Sequence, residues 1–91
     1  MFLEIVTPEA ALVSGDVQMV SVPGVQGEFQ VLDNHAAIVS TLRDGYIKFE
    51  GNPTFAEAFK SRFKEEGGKW VLPINSGTIE VNQNNVIILA D

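Results

Sequence analysis

The sequence has no cysteine among its 91 residues, and His35 is its one histidine. Without cysteine the chain can form no disulfide bond, no thiolate zinc site and no cysteine nucleophile. Basic residues are also scarce, since six Lys and Arg stand against twelve Asp and Glu and give a formal net charge of −6. Because Lys and Arg carry the binding of proteins to phosphate backbones, this balance disfavours nucleic acid as a partner.

Long apolar segments are missing too. The longest, residues 86–90, has five residues, whereas a membrane-spanning helix needs about 20. The N-terminal residues 1–6 include Glu4 and have no basic flank, which is not typical of a signal peptide. A hydrophobic content of 45% in a chain of this length is typical of one folded domain. These features predict a single-domain soluble protein, residues 1–91, of a reducing compartment.

Most of the chain alternates apolar and polar residues with a period of two, which is typical of β-strands with one buried face. In one segment the alternation changes phase, from Val17 and Met19 to Val20 and Val22. This change predicts either a β-bulge or a strand that is buried on both faces. The predicted strands are 2–6, 11–13, 17–22, 28–32, 36–42, 46–50, 70–72, 78–81 and 86–90.

Turn-forming residues separate these segments. Residues 14–16, Ser-Gly-Asp, are predicted to end the second strand, and residues 43–45, Arg-Asp-Gly, predict a hairpin between the strands that flank them. About eight to ten short strands with frequent turns predict a mainly β fold, either an antiparallel sandwich or a closed barrel.

One segment departs from the period of two. Residues 54–57, Thr-Phe-Ala-Glu, match a capping box, and the glycines at 67 and 68 are typical of a helix end. Three phenylalanines recur every four residues and would form one apolar stripe: Phe55, Phe59 and Phe63. The pattern predicts an α-helix of about 12 residues over 54–66.

The polar side of this predicted helix is basic, because it carries Lys60, Arg62 and Lys64. Two roles are open for it. The helix covers one face or end of the β-structure, or its basic side binds an acidic partner.

The sequence offers no constellation of catalytic residues. His35 would have to be the base of any Ser-His-acid arrangement, yet it lies in a predicted turn and no Gly-x-Ser-x-Gly motif is present. Glu65 and Glu66 are adjacent and point in different directions, so they do not form a metal site. Residues 23–27 are rich in glycine but lack the Gly-Lys-Ser/Thr of a phosphate loop. We therefore expect a non-enzyme with no catalytic residue, no metal site and no cofactor.

Residues 20–36 carry the clearest family signal. They read V-S-V-P-G-V-Q-G-E-F-Q-V-L-D-N-H-A and resemble the V-x-V-P-G-x-x-G-E-F-G-V-L-P-G-H-A signature of the epsilon subunits of F-type ATP synthases. Further segments resemble the family in the order that the family has them: 3–9, 14–15, 42–45, 76–81 and 85–91. The resemblance extends over nearly the whole chain except about 51–73, and it implies an antiparallel β-sandwich of two sheets.

The resemblance implies a mechanical role. Epsilon subunits lie with the gamma subunit in the central stalk and fasten it to the ring of c subunits, so that proton-driven rotation of the ring turns the shaft. This chain is accordingly expected to bind gamma and the c-ring and to couple rotation to ATP synthesis without catalysing it. The implied location is peripheral, on the cytoplasmic face of the bacterial inner membrane.

Five residues are candidate partner contacts by this resemblance. Glu28 matches the acid that faces the polar loops of the c subunits, where a carboxylate at the tip of a turn suits a charge-assisted contact. His35 matches the histidine of the signature, near gamma and the ring. Thr7 corresponds to a position on the side that faces gamma. Asp33 and Asn34 replace the Pro-Gly that precedes the histidine and keep turn-forming chemistry there.

Two departures from the family stand out. The predicted helix over 54–66 is an insertion relative to a short hairpin, and it is expected to cover the sandwich or to extend the contact with gamma or the ring. Family members usually continue beyond the last matched segment into two helices that inhibit ATP hydrolysis and in some members bind ATP. Since this sequence ends at Asp91, we expect neither that inhibition nor nucleotide binding. The alternative is an unrelated β-sandwich module that binds a ligand or a protein.

Overall fold

A computed structural model describes all residues, 1–91, and shows a mainly β protein. Ten strands account for most of the chain, and the only helical element is a six-residue 3₁₀ helix at Glu57–Arg62. This helix falls short of the length and hydrophobicity that crossing a membrane requires. The strands are β1 (Phe2–Val6), β2 (Ala11–Gly24), β3 (Gly27–Leu32), β4 (Ile38–Leu42), β5 (Gly45–Gly51), β6 (Thr54–Phe55), β7 (Lys64–Glu66), β8 (Lys69–Ile74), β9 (Gly77–Asn82) and β10 (Asn85–Ala90).

The strands form one connected network rather than two separate sheets. Their order is β1-β10-β9-β4-β2-β5-β8-β7, with β3 and β6 also paired to β2. β2 pairs with β1 near its beginning and with β4 at its end, so these strands and β9 and β10 close into a ring. All pairings are antiparallel except that of β1 with β10, which is parallel. The expectation of a wholly antiparallel arrangement is corrected by the parallel β1–β10 pair.

β2 separates the network into two halves, β1-β10-β9-β4 on one side and β5-β8-β7 on the other. It joins both halves because it is 14 residues long. The predicted end of this strand at residues 14–16 is wrong, since Ser14 and Gly15 stay in register with Glu4 and Leu3 of β1. The predicted bulge is confirmed, because the register with β5 shifts between Val17 and Met19. The strand is also buried on both faces from Met19 onward. A bulge bends a strand and increases its twist, which lets β2 pass from β1 to β5.

A single hydrophobic core lies between the two halves. It contains Leu3, Ile5 and Ile88 from the β1-β10 side together with Ile47 and Phe49 from β5, and all five side chains are fully buried. The period-two pattern placed Leu3 and Ile5 on one face of the first strand, because successive side chains of a strand point to opposite faces, and both are buried.

The predicted α-helix over 54–66 is wrong. Thr54 and Phe55 form β6 against β2, the 3₁₀ helix follows, and Lys64–Glu66 form β7. Ala56 is the N-cap, and no side chain caps the helix, so the capping box is not formed. Gly67 and Gly68 have φ of +58° and +80° and make the two-residue turn of the β7–β8 hairpin, a geometry that glycine favours.

The α-helix does not form because the phenylalanine rings pack against other aromatic rings without it. The Phe55 ring lies 5.0 Å from the Phe63 ring and 4.8 Å from the Trp70 ring, and the Phe63 ring lies 5.9 Å from the Phe49 ring. These edge-to-face contacts are the arrangement that aromatic pairs prefer. We call residues 52–68 the excursion. It covers the core beside β5 and β8, which is the first of the two roles that the sequence left open.

The predicted hairpin at residues 43–45 is also corrected. β4 pairs with β9 and β2, whereas β5 pairs with β2 and β8. The backbone N–H of Arg43 donates to the carbonyl of Pro23 at 2.9 Å. The short link therefore carries the chain across β2 from one half to the other, because both neighbouring strands find their partners elsewhere.

Candidate functional site

Glu28 lies directly after the tight turn between β2 and β3. The turn residues are Val25 and Gln26, and Gly24 pairs with Gly27 on either side of them. Glu28 is therefore the second residue of β3 rather than the tip of the turn, and it pairs with Pro23. Its side chain is exposed, which leaves the carboxylate available to a partner.

The carboxylate of Glu28 has one partner inside the chain. The Ser21 hydroxyl donates to its Oε2 at 3.1 Å. Ser21 is buried and pairs with Gln30 of β3 and Lys48 of β5. The contact holds the carboxylate over the outer face of β2 with its other lone pairs free. Sequence reasoning missed Ser21, although a lone serine between Val20 and Val22 in a buried strand is a signal for such a hydroxyl.

Two exposed valines lie at the turn, one in it and one on the neighbouring strand β4, and the sequence did not predict their exposure. Val25 in the turn is 52% exposed, and Val39 of β4 is 77% exposed. Both line an open groove of about 530 Å³ that runs from the turn along β4 past Glu28. The sequence pattern contained no signal for Val39, because a valine between apolar and polar neighbours in a strand usually faces the core. The turn thus combines one carboxylate with apolar surface.

Thr7 lies at the same end of the molecule as the turn. The ends of β1 and β10, the first residue of β9 and the last residue of β4 are paired in a row, and Leu42 of β4 pairs with Gly24 of β2. Its hydroxyl is occupied internally. It accepts from the backbone N–H groups of Glu9 and Ala10 and donates to the carbonyl of Ala10. The residue is 6% exposed. The structure therefore gives Thr7 a turn-stabilising role.

Asp33 and Asn34 lie in the turn after β3, where both make hydrogen bonds inside the chain. Asp33 Oδ1 accepts from the Met1 ammonium group at 3.1 Å and from Asn84 Nδ2 at 3.0 Å. The hydrogen bonds of the ammonium group and of Asn84 hold the pKa of Asp33 below its usual range, and the positive charge adds to the effect. The backbone N–H of Asn34 donates to Asn84 Oδ1 at 2.9 Å. The two residues thus join the N-terminus to the β9–β10 turn.

His35 closes the same turn and is half-buried. Its backbone N–H donates to the carbonyl of Leu32 at 3.2 Å, and its ring Nδ1 donates to the carbonyl of Ala36 at 2.6 Å. Because a carbonyl oxygen only accepts, Nδ1 is the donor of this bond, and Nε2 has no partner within the chain.

The five predicted contact residues do not form one site. Glu28 stands near the beginning of β3 and Asp33 directly after its end, so their backbones are about 16 Å apart at 3.3 Å per residue. Glu28 and Thr7 belong to one end of the molecule, and residues 33–35 belong to the opposite end. No group of three or more His, Asp or Glu side chains is placed to hold a metal ion.

The basic residues of the excursion also separate. Lys60 Nζ lies 5.6 Å from the Phe55 ring centre, and Arg62 donates to Glu9 at 3.3 Å. Lys64 belongs to β7 and has no carboxylate within ion-pair distance. Lys60 lies apart from the other two, because a 3₁₀ helix followed by a strand distributes the three residues differently from an α-helix.

Comparison with known proteins agrees with the fold and the motifs. The chain is 38% identical over 89 residues to the ATP synthase epsilon chain of Wolinella succinogenes, covering 98% of this chain and 58% of the relative. It is 36% identical over 91 residues to that of Sulfurovum sp., covering 100% and 61%. The chain thus spans about three fifths of the length of the curated relatives it matches.

A solved structure shows the same fold. A chain in the central stalk and c-ring structure of the Tetrahymena thermophila mitochondrial ATP synthase superposes with a TM-score of 0.67 at 16% identity, covering 99% of this chain and 62% of that chain. The sequence model of one family matches residues 1–91 without a gap at either end. This chain belongs to that family, the ATP synthase delta/epsilon chain β-sandwich domain.

Proposed function

We propose that this chain is a central-stalk component of an F-type ATP synthase, which binds gamma and the c-ring and couples rotation of the ring to ATP synthesis. It takes no catalytic part, and its place is peripheral, on the cytoplasmic face of the bacterial inner membrane. The family match over the whole chain carries this proposal. It also replaces the alternative of an unrelated binding module.

The two ends of the molecule support a division of partners. The Val25–Glu28 end presents an exposed carboxylate beside exposed valines, a combination that suits polar loops with a cationic residue and an apolar rim. The opposite end presents His35 with a free Nε2. Because the ends are about 16 Å apart along β3, we assign Glu28 to the c-ring contact and His35 to the gamma contact. Asp33 and Asn34 precede His35 at that end. Thr7, which the resemblance assigned to the side that faces gamma, lies at the Glu28 end and stabilises the turn there.

Co-expression of the chain with gamma and the c subunits of the same organism, followed by affinity purification of the assembled complex, tests the proposal. We expect gamma and the c-ring to copurify. Glu28→Gln is expected to lower the retained c-ring at least fivefold while gamma remains, since a charge-assisted contact is lost. His35→Ala is expected to lower retained gamma instead.

Glu65→Gln is the matched control, because it also removes an exposed carboxylate, in β7. Failure of the wild-type chain to retain either partner would overturn the stalk role. If Glu28→Gln and Glu65→Gln retained equal amounts of c-ring, the assignment of Glu28 would be wrong although the stalk role would stand.

A further inference from the structure

Positive charge is concentrated in one part of this acidic chain. Residues 48–69 contain five of the six Lys and Arg but only four of the twelve Asp and Glu. Outside them, one arginine stands against eight acidic residues. A cavity inside the basic part therefore has an electrostatic character opposite to that of the rest of the surface.

Such a cavity lies on the outer face of β5, β8 and β7. It has a volume of about 450 Å³, within the range of small-molecule sites. Lys48 of β5 and Lys64 of β7 are both in register with Val71 of β8, so the three side chains share one face. Val71, which is buried, forms the floor between the two lysines.

The two lysines are free to bind an anion. Neither has a carboxylate within ion-pair distance, because the four ion pairs of the structure involve other cations. Adjacent strands are about 4.8 Å apart, so the backbones of Lys48 and Lys64 are about 10 Å apart and their side chains can converge over Val71. Arg62 enters the wall from the 3₁₀ helix and is oriented by Glu9 at 3.3 Å.

The remaining wall gives the cavity its selectivity. Tyr46 and Pro73 pair across β5 and β8 and supply an aromatic and an aliphatic surface beside the cations. Glu66 is the only acid of the wall, and the Arg62 charge is shared with Glu9, so two unpaired lysines and one paired arginine oppose Glu66. Lysines bind phosphoryl oxygens as point charges and arginine as a planar fork.

We infer that this cavity is a binding site for a soluble phosphate-bearing small molecule, held by Lys48, Lys64 and Arg62. The excursion builds the site, because it contributes β7 and the helix that carries Arg62. The inference stands apart from the stalk role, since the site lies on the outer face of the sheet and needs no other subunit.

Titration of the purified chain with pyrophosphate, followed by backbone amide chemical shifts, tests the inference. Saturable shifts are expected at β5, β7 and β8 and at Arg62. Lys48→Gln combined with Lys64→Gln is expected to raise the dissociation constant at least tenfold, and Lys64→Arg is expected to keep binding within threefold. Thermal unfolding verifies that every variant remains folded.

Lys60→Gln is the matched control, because it removes the same charge from the excursion outside the cavity wall. Equal weakening by Lys60→Gln would show unspecific attraction and overturn the site, as would shifts spread over the whole surface. Two further arms separate the sources of anions. Lysine-dependent binding to phosphatidylglycerol vesicles or to hexaglutamate without binding to pyrophosphate would also overturn the inference, in favour of a membrane or an acidic peptide.

Discussion

The strand framework and the excursion follow different rules within one small domain. In most framework strands buried and less buried residues alternate, as in β1 and β9, and there the local pattern agrees with the tertiary structure. In the excursion, three phenylalanines at helical spacing and a capping motif agree with each other and still do not produce an α-helix. The secondary structure of this 13-residue segment is therefore set by tertiary contacts, since the surrounding strands offer it both strand partners and an aromatic pocket.

The largest expected effect is in the framework. Phe49→Ala removes a fully buried ring that contacts the rings of Phe55 and Phe63 at 6.1 and 5.9 Å. Truncation of a buried phenylalanine costs about 3–5 kcal/mol, a large part of the stability of a domain of this size. We expect the free energy of unfolding in urea to fall by about 4 kcal/mol. Val39→Ala, on the surface, is the control and is expected to change it by less than about 0.5 kcal/mol.

The next effect separates the two regions. Phe63→Ala removes the ring that anchors the excursion on Phe49 and Phe55. We expect a loss of about 3 kcal/mol, and the amide protons of residues 56–66 should lose protection from hydrogen exchange while β1 and β10 keep it. Phe59 is only half-buried, so Phe59→Ala is expected to cost about 1 kcal/mol. Equal loss of protection in β1 would mean that the excursion and the framework unfold as one unit.

A smaller effect tests the missing helix cap. Thr54→Ala and Glu57→Gln are expected to change the free energy of unfolding by less than about 0.5 kcal/mol, because Thr54 belongs to β6 and no side chain caps the 3₁₀ helix. Thr7→Ala is the control. It removes a hydroxyl that accepts two backbone N–H groups, and a loss of about 1 kcal/mol is expected. A loss as large from Thr54→Ala would indicate that the capped α-helix forms in solution.

The smallest effect depends on pH. The folded state lowers the pKa of Asp33, so the ionised group contributes stability above the pKa of the unfolded state, about 3.9. That contribution is lost as the pH falls through the lower pKa of the folded state. We expect Asp33→Asn to lower the melting temperature slightly at pH 7, with a difference from wild type that shrinks below pH 4. Asp44→Asn is the control. A difference that is constant with pH would contradict the ion pair.

The sequence predicted the parts of the fold that depend on the nearest neighbours. The period of two places Leu3 and Ile5 on one face of the first strand, and both are buried. The phase change between Met19 and Val20 predicted a bulge or a strand buried on both faces, and β2 has both features. These predictions hold because side-chain direction in a strand is a property of the backbone itself.

Pairing between distant strands could not be predicted in the same way. The Arg-Asp-Gly of residues 43–45 is a strong local hairpin signal, yet β4 pairs with β9 and β5 with β8. The choice depends on which buried faces meet across the core, and this is not encoded within the turn. For the same reason the resemblance identified Glu28 and His35 as candidate contacts but not their separation along β3.

The sequence by itself determined a small, acidic, mainly β domain and the identity of its family, because composition, periodicity and an ordered set of motifs are local properties. Only the tertiary structure decided that the strands form one connected network, that Thr7 and Asp33 are bonded within the chain, and that the excursion is not an α-helix. It also brought Lys48 and Lys64, 16 residues apart in sequence, onto either side of Val71. Their meeting depends on the register of three strands, which packing of the core selects.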